Sequence, residues 1–333
     1  MSSELPPLVE LHLHLEGTLE PDLIWALAAH NGIELPYADL DELRSRYEFT
    51  DLQSFLDLYY ANTAVLRTAA DFASMTTAYL RRAATAGVRH AELFFDPQAH
   101  VTRGVPLREV VDGISGVLAT SARDHGISTG LIACMMRDRP VGEALAVLQE
   151  LLAMGAPLLG LGLDSAELGH PPGDFAPVYD AARSAGLHLV AHAGEEGPPD
   201  YVSAALDLLG VERIDHGIRS LEDPHLVDRL ALAQTPLTVC PLSNVRLRAV
   251  DTMNDHPLPE MLEAGLRVSI NSDDPAYFGG YIDDNVRAVA QTFGLTRTQL
   301  AQLADNAVRS AFLSDERRAE LLAEVAGWLA DSS

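Results

Sequence analysis

The sequence contains no lysine: all 23 basic residues are arginines. Without a lysine amine, Schiff-base catalysis and a carbamylated-lysine metal bridge are both excluded. Cysteine is nearly absent, with Cys134 and Cys240 far apart, each in an apolar run, and no Cys-x-x-Cys. That pattern argues against a disulfide framework or a thiolate zinc knuckle and places both thiols in the core. No uninterrupted apolar run reaches the roughly 20 residues of a membrane span, and no basic stretch with a long apolar segment opens the chain. A cytoplasmic location is expected. Positive charge is scarce as well: 48 acidic residues give a net charge of -25 and a sequence pI ≈ 4.7. A surface this acidic repels phosphate backbones and anionic lipid, so neither nucleic acid nor membrane is expected as a partner. Whether the chain forms a homo-oligomer is left open.

What is present is a core-forming chain of 333 residues, 47% hydrophobic, of a size that suits one large α/β domain spanning residues 1–333. Its most informative stretch is Leu11-His12-Leu13-His14-Leu15-Glu16-Gly17. In an extended segment alternate side chains share a face, so His12 and His14 point one way and the leucines the other. Two imidazoles on one strand face can grip a single metal ion.

The strand expected at Leu8–Leu15 is followed by a long helical stretch. Pro21 suits a first helical turn and Gly32 its end. Asp51 is placed to cap a helix bearing Leu52, Phe55, Leu56, Tyr59 and Tyr60 at helical spacing, and Asp71–Ala86 forms another, stopped by Gly87. Strand and helix then alternate. Strands are expected at Val88–Phe95, Ser128–Met136, Pro157–Asp164, Leu187–Ala193, Arg213–His216, Leu237–Cys240 and Arg267–Asn271. Helices are expected at Val105–Thr120, Val141–Leu152, Asp174–Ala185 and Tyr201–Leu209. Eight strands with intervening helices predict a parallel (β/α)8 TIM barrel with a helical insertion after strand 1. The polar clusters fall at the C-terminal ends of strands, where such barrels keep their chemistry.

His12, His14, His192 and Asp273 therefore converge near the barrel axis, and three imidazoles with one carboxylate suit Zn²⁺. Taken singly, His192 reads as a core histidine and Asp273 as a turn residue before Pro275; their convergence argues for the metal. His170, His188, His225 and His256 fit no motif and are assigned structural or exposed places.

The segments His12-Leu13-His14-Leu15-Glu16-Gly17, His192-Ala193-Gly194-Glu195, Asp215-His216-Gly217, Cys240-Pro241-Leu242-Ser243-Asn244 and Ser272-Asp273-Asp274-Pro275 resemble, in order and spacing, those of the adenosine/adenine deaminase family. Asp164-Ser165-Ala166-Glu167-Leu168-Gly169 and the run Asp274–Tyr281 are most similar to its adenine deaminase branch. The resemblance implies one Zn²⁺ per chain and hydrolytic attack at C6 of a purine base, with loss of ammonia, as in purine salvage. It implies that His216 orients the water and takes its proton, that Glu195 protonates ring N1, and that Asp274 accepts from N7–H. Burial must then keep Glu195 protonated. Glu16 stands where the nucleoside branch has Asp, and Glu167 where it has a small Gly. Glu167, Glu16 and Gly17 are thus expected on the substrate, with the Glu167 carboxylate taking the space of a ribose. Rival readings are an adenosine or N6-substituted adenine deaminase, a binuclear barrel hydrolase in which Glu167 replaces the missing bridging lysine, and a non-catalytic binding protein.

Overall fold

The computed structural model describes residues 4–47, 49 and 52–331. Eight parallel strands follow one another in sheet order: β1 (Leu8–Glu10), β2 (Val88–Phe95), β3 (Ser128–Met136), β4 (Gly160–Asp164), β5 (His188–Ala193), β6 (Arg213–His216), β7 (Pro236–Val239) and β8 (Arg267–Ile270). Leu13 bridges Asp273 beyond the end of β8, while His14 bridges Phe94 on β2, so this stretch joins the first and last strands into a barrel. The ladder of β1 stops earlier than the expected Leu15. Beyond Glu10 the Leu11 amide donates to the Asn271 side chain, and the Asp273 amide donates to the His12 carbonyl. Alternation nevertheless persists: Leu11, Leu13 and Leu15 are fully buried in the outer core.

The insertion after β1 holds the helices Pro21–Asn31, Leu40–Ser45, Leu52–Thr63 and Ala69–Ala86. The expected Asp51 cap lies outside the described residues. Asp71 sits at the third position of the last of these helices, in a capping box with Thr68. Helices not expected from the sequence include Pro224–Ala233 between β6 and β7, Leu258–Glu263 between β7 and β8, and Ile282–Phe293, Arg297–Ser310 and Asp315–Ala330 after β8. Among the described residues no helix is long and apolar enough to cross a membrane.

One local rule recurs at the C-terminal mouth. Asp96-Pro97, Cys240-Pro241 and Asp274-Pro275 each end a strand and start a short helix with proline in its first turn. Proline's fixed φ starts the helix, and the bend leaves the preceding side chain at the mouth. Inside the barrel, Arg213 pairs with Glu92, both fully buried, and Arg213 also donates to the Leu11 carbonyl. This pair ties β6 to β2 and β1 across the barrel, beneath the site.

Candidate metal centre and active site

The four expected ligands come together. Asp273 Oδ1 lies 3.4 Å from His12 Nε2 and 3.5 Å from His14 Nε2, and His14 Nε2 is 3.2 Å from His192 Nε2. One ligand atom from each of the four lies within 4.8 Å of all the others, and all four residues are buried. His12 Nε2 has no hydrogen-bond partner, an expensive state for a buried polar atom and one that a metal bond relieves. The other side of each ring is held. His12 Nδ1 lies 3.1 Å from Thr238 Oγ1, which itself donates to Asp215 Oδ1 at 2.8 Å. Asp215 Oδ2 approaches His192 Nδ1 at 3.7 Å, and Asp164 Oδ2 approaches His14 Nδ1 at 3.6 Å. Such outer partners fix ring orientation and leave the inner nitrogens free to coordinate. The residues fit a divalent metal.

His216 and Asp273 adopt left-handed backbone conformations, φ 67 and φ 65, which few non-glycine residues do. This strain at two adjoining site residues is of the kind active sites retain. His216 Nε2 faces both Glu195 Oε2, at 3.4 Å, and Asp273 Oδ2, at 3.8 Å. Burial, with the charges of Asp273 and Glu167 nearby, pushes the Glu195 carboxyl well above the ordinary range, the condition set for a proton donor. Asp273 meets the same burial, yet the His12, His216 and His14 rings hold it well below that range. Two neighbouring carboxyls are thus driven apart, one towards acid and one towards anion.

These groups line a pocket of ≈ 430 Å³ with Asp96, Asp164, Ser165 and Asp274 on its polar side and Phe55, Leu56, Tyr59, Tyr60, Leu247 and Phe278 on its apolar side. The aromatic stripe expected on the helix Leu52–Thr63 therefore covers the mouth. Five carboxyls and three histidines line this space, and among the described residues no arginine does. Asp274 Oδ1 has no partner. A Cβ on Gly17 would come within 2.0 Å of that oxygen, so Gly17 serves by letting Asp274 in and does not itself line the pocket.

A family model described as adenosine deaminase matches residues 7–328. The chain belongs to the adenosine deaminase family. An adenine deaminase of Streptomyces coelicolor is 60% identical over 321 residues, covering 96% of this chain and 94% of that one. An adenine deaminase structure from Arthrobacter aurescens superposes with a TM-score of 0.97 at 61% identity, over 98% of this chain and 99% of that one. An amidohydrolase structure from Burkholderia ambifaria, with bound Zn, gives 0.88 at 32% identity over 98% and 92%.

Within this family framework two expected substrate contacts need correcting. Glu167 does not face the pocket. Its Oε1 accepts from the Gly194 amide at 2.7 Å, and its Oε2 accepts from the amides of Glu195, Glu196 and Gly197 at 3.1, 2.9 and 2.8 Å. Both oxygens are occupied under the loop that presents Glu195, so Glu167 neither fills ribose space nor bridges metals. Glu16 is likewise fully buried behind the site, where Oε1 accepts from the Asp96 amide and meets His100 Nε2 at 2.7 Å.

Two further acids, to which the sequence assigns no role, face the pocket: Asp96, before Pro97, and Asp164, in the segment Asp164-Ser165. Three of their four oxygens have no hydrogen-bond partner among the described residues. Burial, then the charge of Asp96, pushes Asp164 well up, while the His14 ring, 3.9 Å from Asp96 Oδ1, overcomes burial to hold Asp96 down.

Proposed function

We propose that the chain is a metal-dependent adenine deaminase, converting adenine and water to hypoxanthine and ammonia. One observation carries the reading. A carboxyl held in its acid form, a buried imidazole nitrogen and a metal-ligand quartet all face one pocket, with Glu195 and His216 within 3.4 Å of each other.

His12, His14, His192 and Asp273 would hold one ion per chain, which we read as zinc from its three-imidazole, one-carboxylate donor set. Such an ion lowers the pKa of water from about 15.7 towards 7, making a nucleophile available at neutral pH. The protein's own groups do the rest. Glu195 gives its proton to ring N1, which draws electrons from C6 and opens it to attack. His216 Nε2 fixes the position of the attacking oxygen. Asp274, which burial and the charge of Asp273 push towards its acid form, donates its proton to ring N7 in place of the expected acceptance from N7–H, leaving the ring proton on N9. Ammonia then leaves from C6.

Adenine as the substrate is supported by the names of the relatives and by Asp96 in the pocket lining. Free adenine offers N9–H at its imidazole edge, and the Asp96 carboxylate, held as an anion, can accept it in a charge-assisted bond. A ribose removes that donor. Sites built around such a bond reject analogues lacking it by about 10⁴–10⁵-fold. Ammonia release measured across adenine, adenosine, N6-alkyladenines and cytosine tests the proposal. Adenine is expected to lead in kcat/KM by several orders of magnitude, and equal turnover of adenosine would overturn the choice of base while leaving the C6 chemistry in place.

A further inference from the structure

The hydrogen bonds behind His216 run in one direction, and that direction decides which of its nitrogens carries the proton. They begin at a group whose role is fixed: the Leu258 backbone N–H, which donates to His256 Nδ1 at 3.1 Å. A ring nitrogen that accepts carries no proton, so the ring proton of His256 is on Nε2. That N–H lies 3.2 Å from Asn244 Oδ1 and donates to it. The oxygen of the Asn244 amide is thereby turned towards His256, and its NH₂ towards His216. Asn244 Nδ2 then donates to His216 Nδ1 at 3.3 Å. The same reasoning applied to His216 leaves its proton on Nε2, the nitrogen facing Glu195 and Asp273. Asn244 is fully buried and His256 is 2% exposed, so no solvent competes along the chain. Ser243, next to Asn244 on the short helix Pro241–Arg246, donates its hydroxyl to Asp273 Oδ2 at 2.7 Å. Two consecutive residues of one helical turn thus set the two groups on either side of the attacking oxygen.

Resting on the deaminase reading above, we infer that His256 and Asn244 are positioning residues that lock His216 as its Nε2–H tautomer, making it a hydrogen-bond donor to the attacking oxygen and not its base. The expectation that His216 takes the water's proton is incompatible with a nitrogen already protonated. That proton passes instead to the Asp273 carboxylate as the O–C6 bond forms, while the Glu195 proton goes to N1. When the C6–N bond breaks, the departing amino group takes the proton from Asp273 and leaves as ammonia. The remaining hydroxyl proton restores Glu195 as the C6 carbonyl forms. His216 throughout stabilises charge growing on the oxygen, the work of an oxyanion-hole donor.

The test is long-range ¹H–¹⁵N correlation NMR on the metal-loaded enzyme labelled in histidine, which reads each ring's tautomer without any substrate. Signals are assigned with His216→Gln and His256→Gln. His216 and His256 should both appear as Nε2–H in the unaltered protein; His216 as Nδ1–H would overturn the inference, whatever the enzyme's substrate proves to be. Asn244→Asp supplies the perturbation. Its carboxylate accepts from His256 on one side and from His216 on the other, so His216 should switch to Nδ1–H. With the donor to the oxygen removed, kcat should fall by about 10²–10³-fold, while KM and bound metal stay as they were. A switched tautomer with kcat within twofold of wild type would refute the assigned role. The unaltered protein decides the tautomer by itself if the variant does not fold.

Discussion

Glu167 offers the sharpest separation between a residue that reads the substrate and one that builds the site. In Glu167→Gln one carboxylate oxygen becomes an NH₂ group of nearly the same size. The surviving oxygen is best kept where Oε2 now accepts three amides, which puts the new NH₂ against the Gly194 N–H at the 2.7 Å now spanned by a hydrogen bond. Two buried donors then face each other unpaired, at about 1–3 kcal/mol each, and the three remaining bonds lose their charge assistance. The total, about 2–6 kcal/mol, falls on the loop that carries Glu195. Even the lower end exceeds the roughly 1.4 kcal/mol that corresponds to a tenfold change in rate. The assay is kcat/KM for adenine and adenosine in parallel, with bound metal measured on the same samples. kcat should drop at least tenfold, metal should remain because no ligand is touched, and the adenine-to-adenosine ratio should not move. A narrowed ratio with intact kcat would show that Glu167 faces the purine after all, and would refute the placement of its oxygens under the loop.

Three further changes probe separate parts of the molecule. His12→Ala or Asp273→Ala leaves three ligands for the ion, so bound metal by elemental analysis should fall well below one equivalent and activity should vanish; a near-stoichiometric variant would remove that residue from the ligand set. Glu195→Gln cannot give a proton to N1, and should keep its metal while losing about 10²–10⁴-fold in rate; near wild-type turnover across the pH range would move the proton donor elsewhere. Glu10 is fully buried beside Ser272, and burial raises its carboxyl from 4.5 to about 7. Between those values the folded state binds more protons than the unfolded one, so this group's contribution to stability falls as pH rises through the interval, by at most about 3 kcal/mol. Glu10→Gln keeps an acceptor for Ser272 and has no proton to lose. Chemical denaturation should find it level with wild type near pH 5 and more stable at pH 8, and a gap independent of pH would contradict the burial argument.

The barrel was legible wherever the sequence marked both ends of an apolar run. Val88–Phe95 lies between Gly87 and Asp96-Pro97, Ser128–Met136 is an apolar run of strand length, and Arg213–His216 is closed by Gly217; all three match the observed strands. Pro157–Asp164 was drawn three residues too long: Leu159 already donates to Leu131 and accepts from His188, but the regular ladder begins only at Gly160. The convergence of His12, His14, His192 and Asp273 was legible for a different reason: strand ends in a parallel barrel must converge, so four ligand-type residues at those ends meet whatever the intervening helices do. Glu167 resisted the same logic. It lies past the strand end, beyond Ser165, whose left-handed φ of 70 turns the chain, and nothing in the order of residues tells whether a carboxylate after such a turn points into the mouth or under the next loop. Asn244 and His256 were beyond reach because their roles depend on hydrogen-bond direction, and His256 lies 12 residues from its partner in no recognisable spacing.

The sign of the pocket constrains what can enter it. Asp96, Asp164, Glu195, Asp273 and Asp274 share one small space in which no arginine takes part. Two like charges 4 Å apart repel by about 4 kcal/mol at the effective dielectric constant of a protein, so the five cannot all be ionised together. The observed directions resolve the conflict by splitting them: Glu195, Asp164 and Asp274 are pushed towards the acid form, and Asp96 and Asp273 are held as anions against the histidine rings. A divalent cation held by His12, His14, His192 and Asp273 would oppose the two anionic charges and leave the three acids free to hydrogen-bond. A substrate with a phosphate would restore the repulsion with no guanidinium to answer it. A neutral heterocycle with N–H donors on one edge and a basic ring nitrogen on the other meets anionic acceptors and an acid donor in turn. On this reading the acidity of the pocket disfavours a phosphate-bearing substrate and suits a neutral free base.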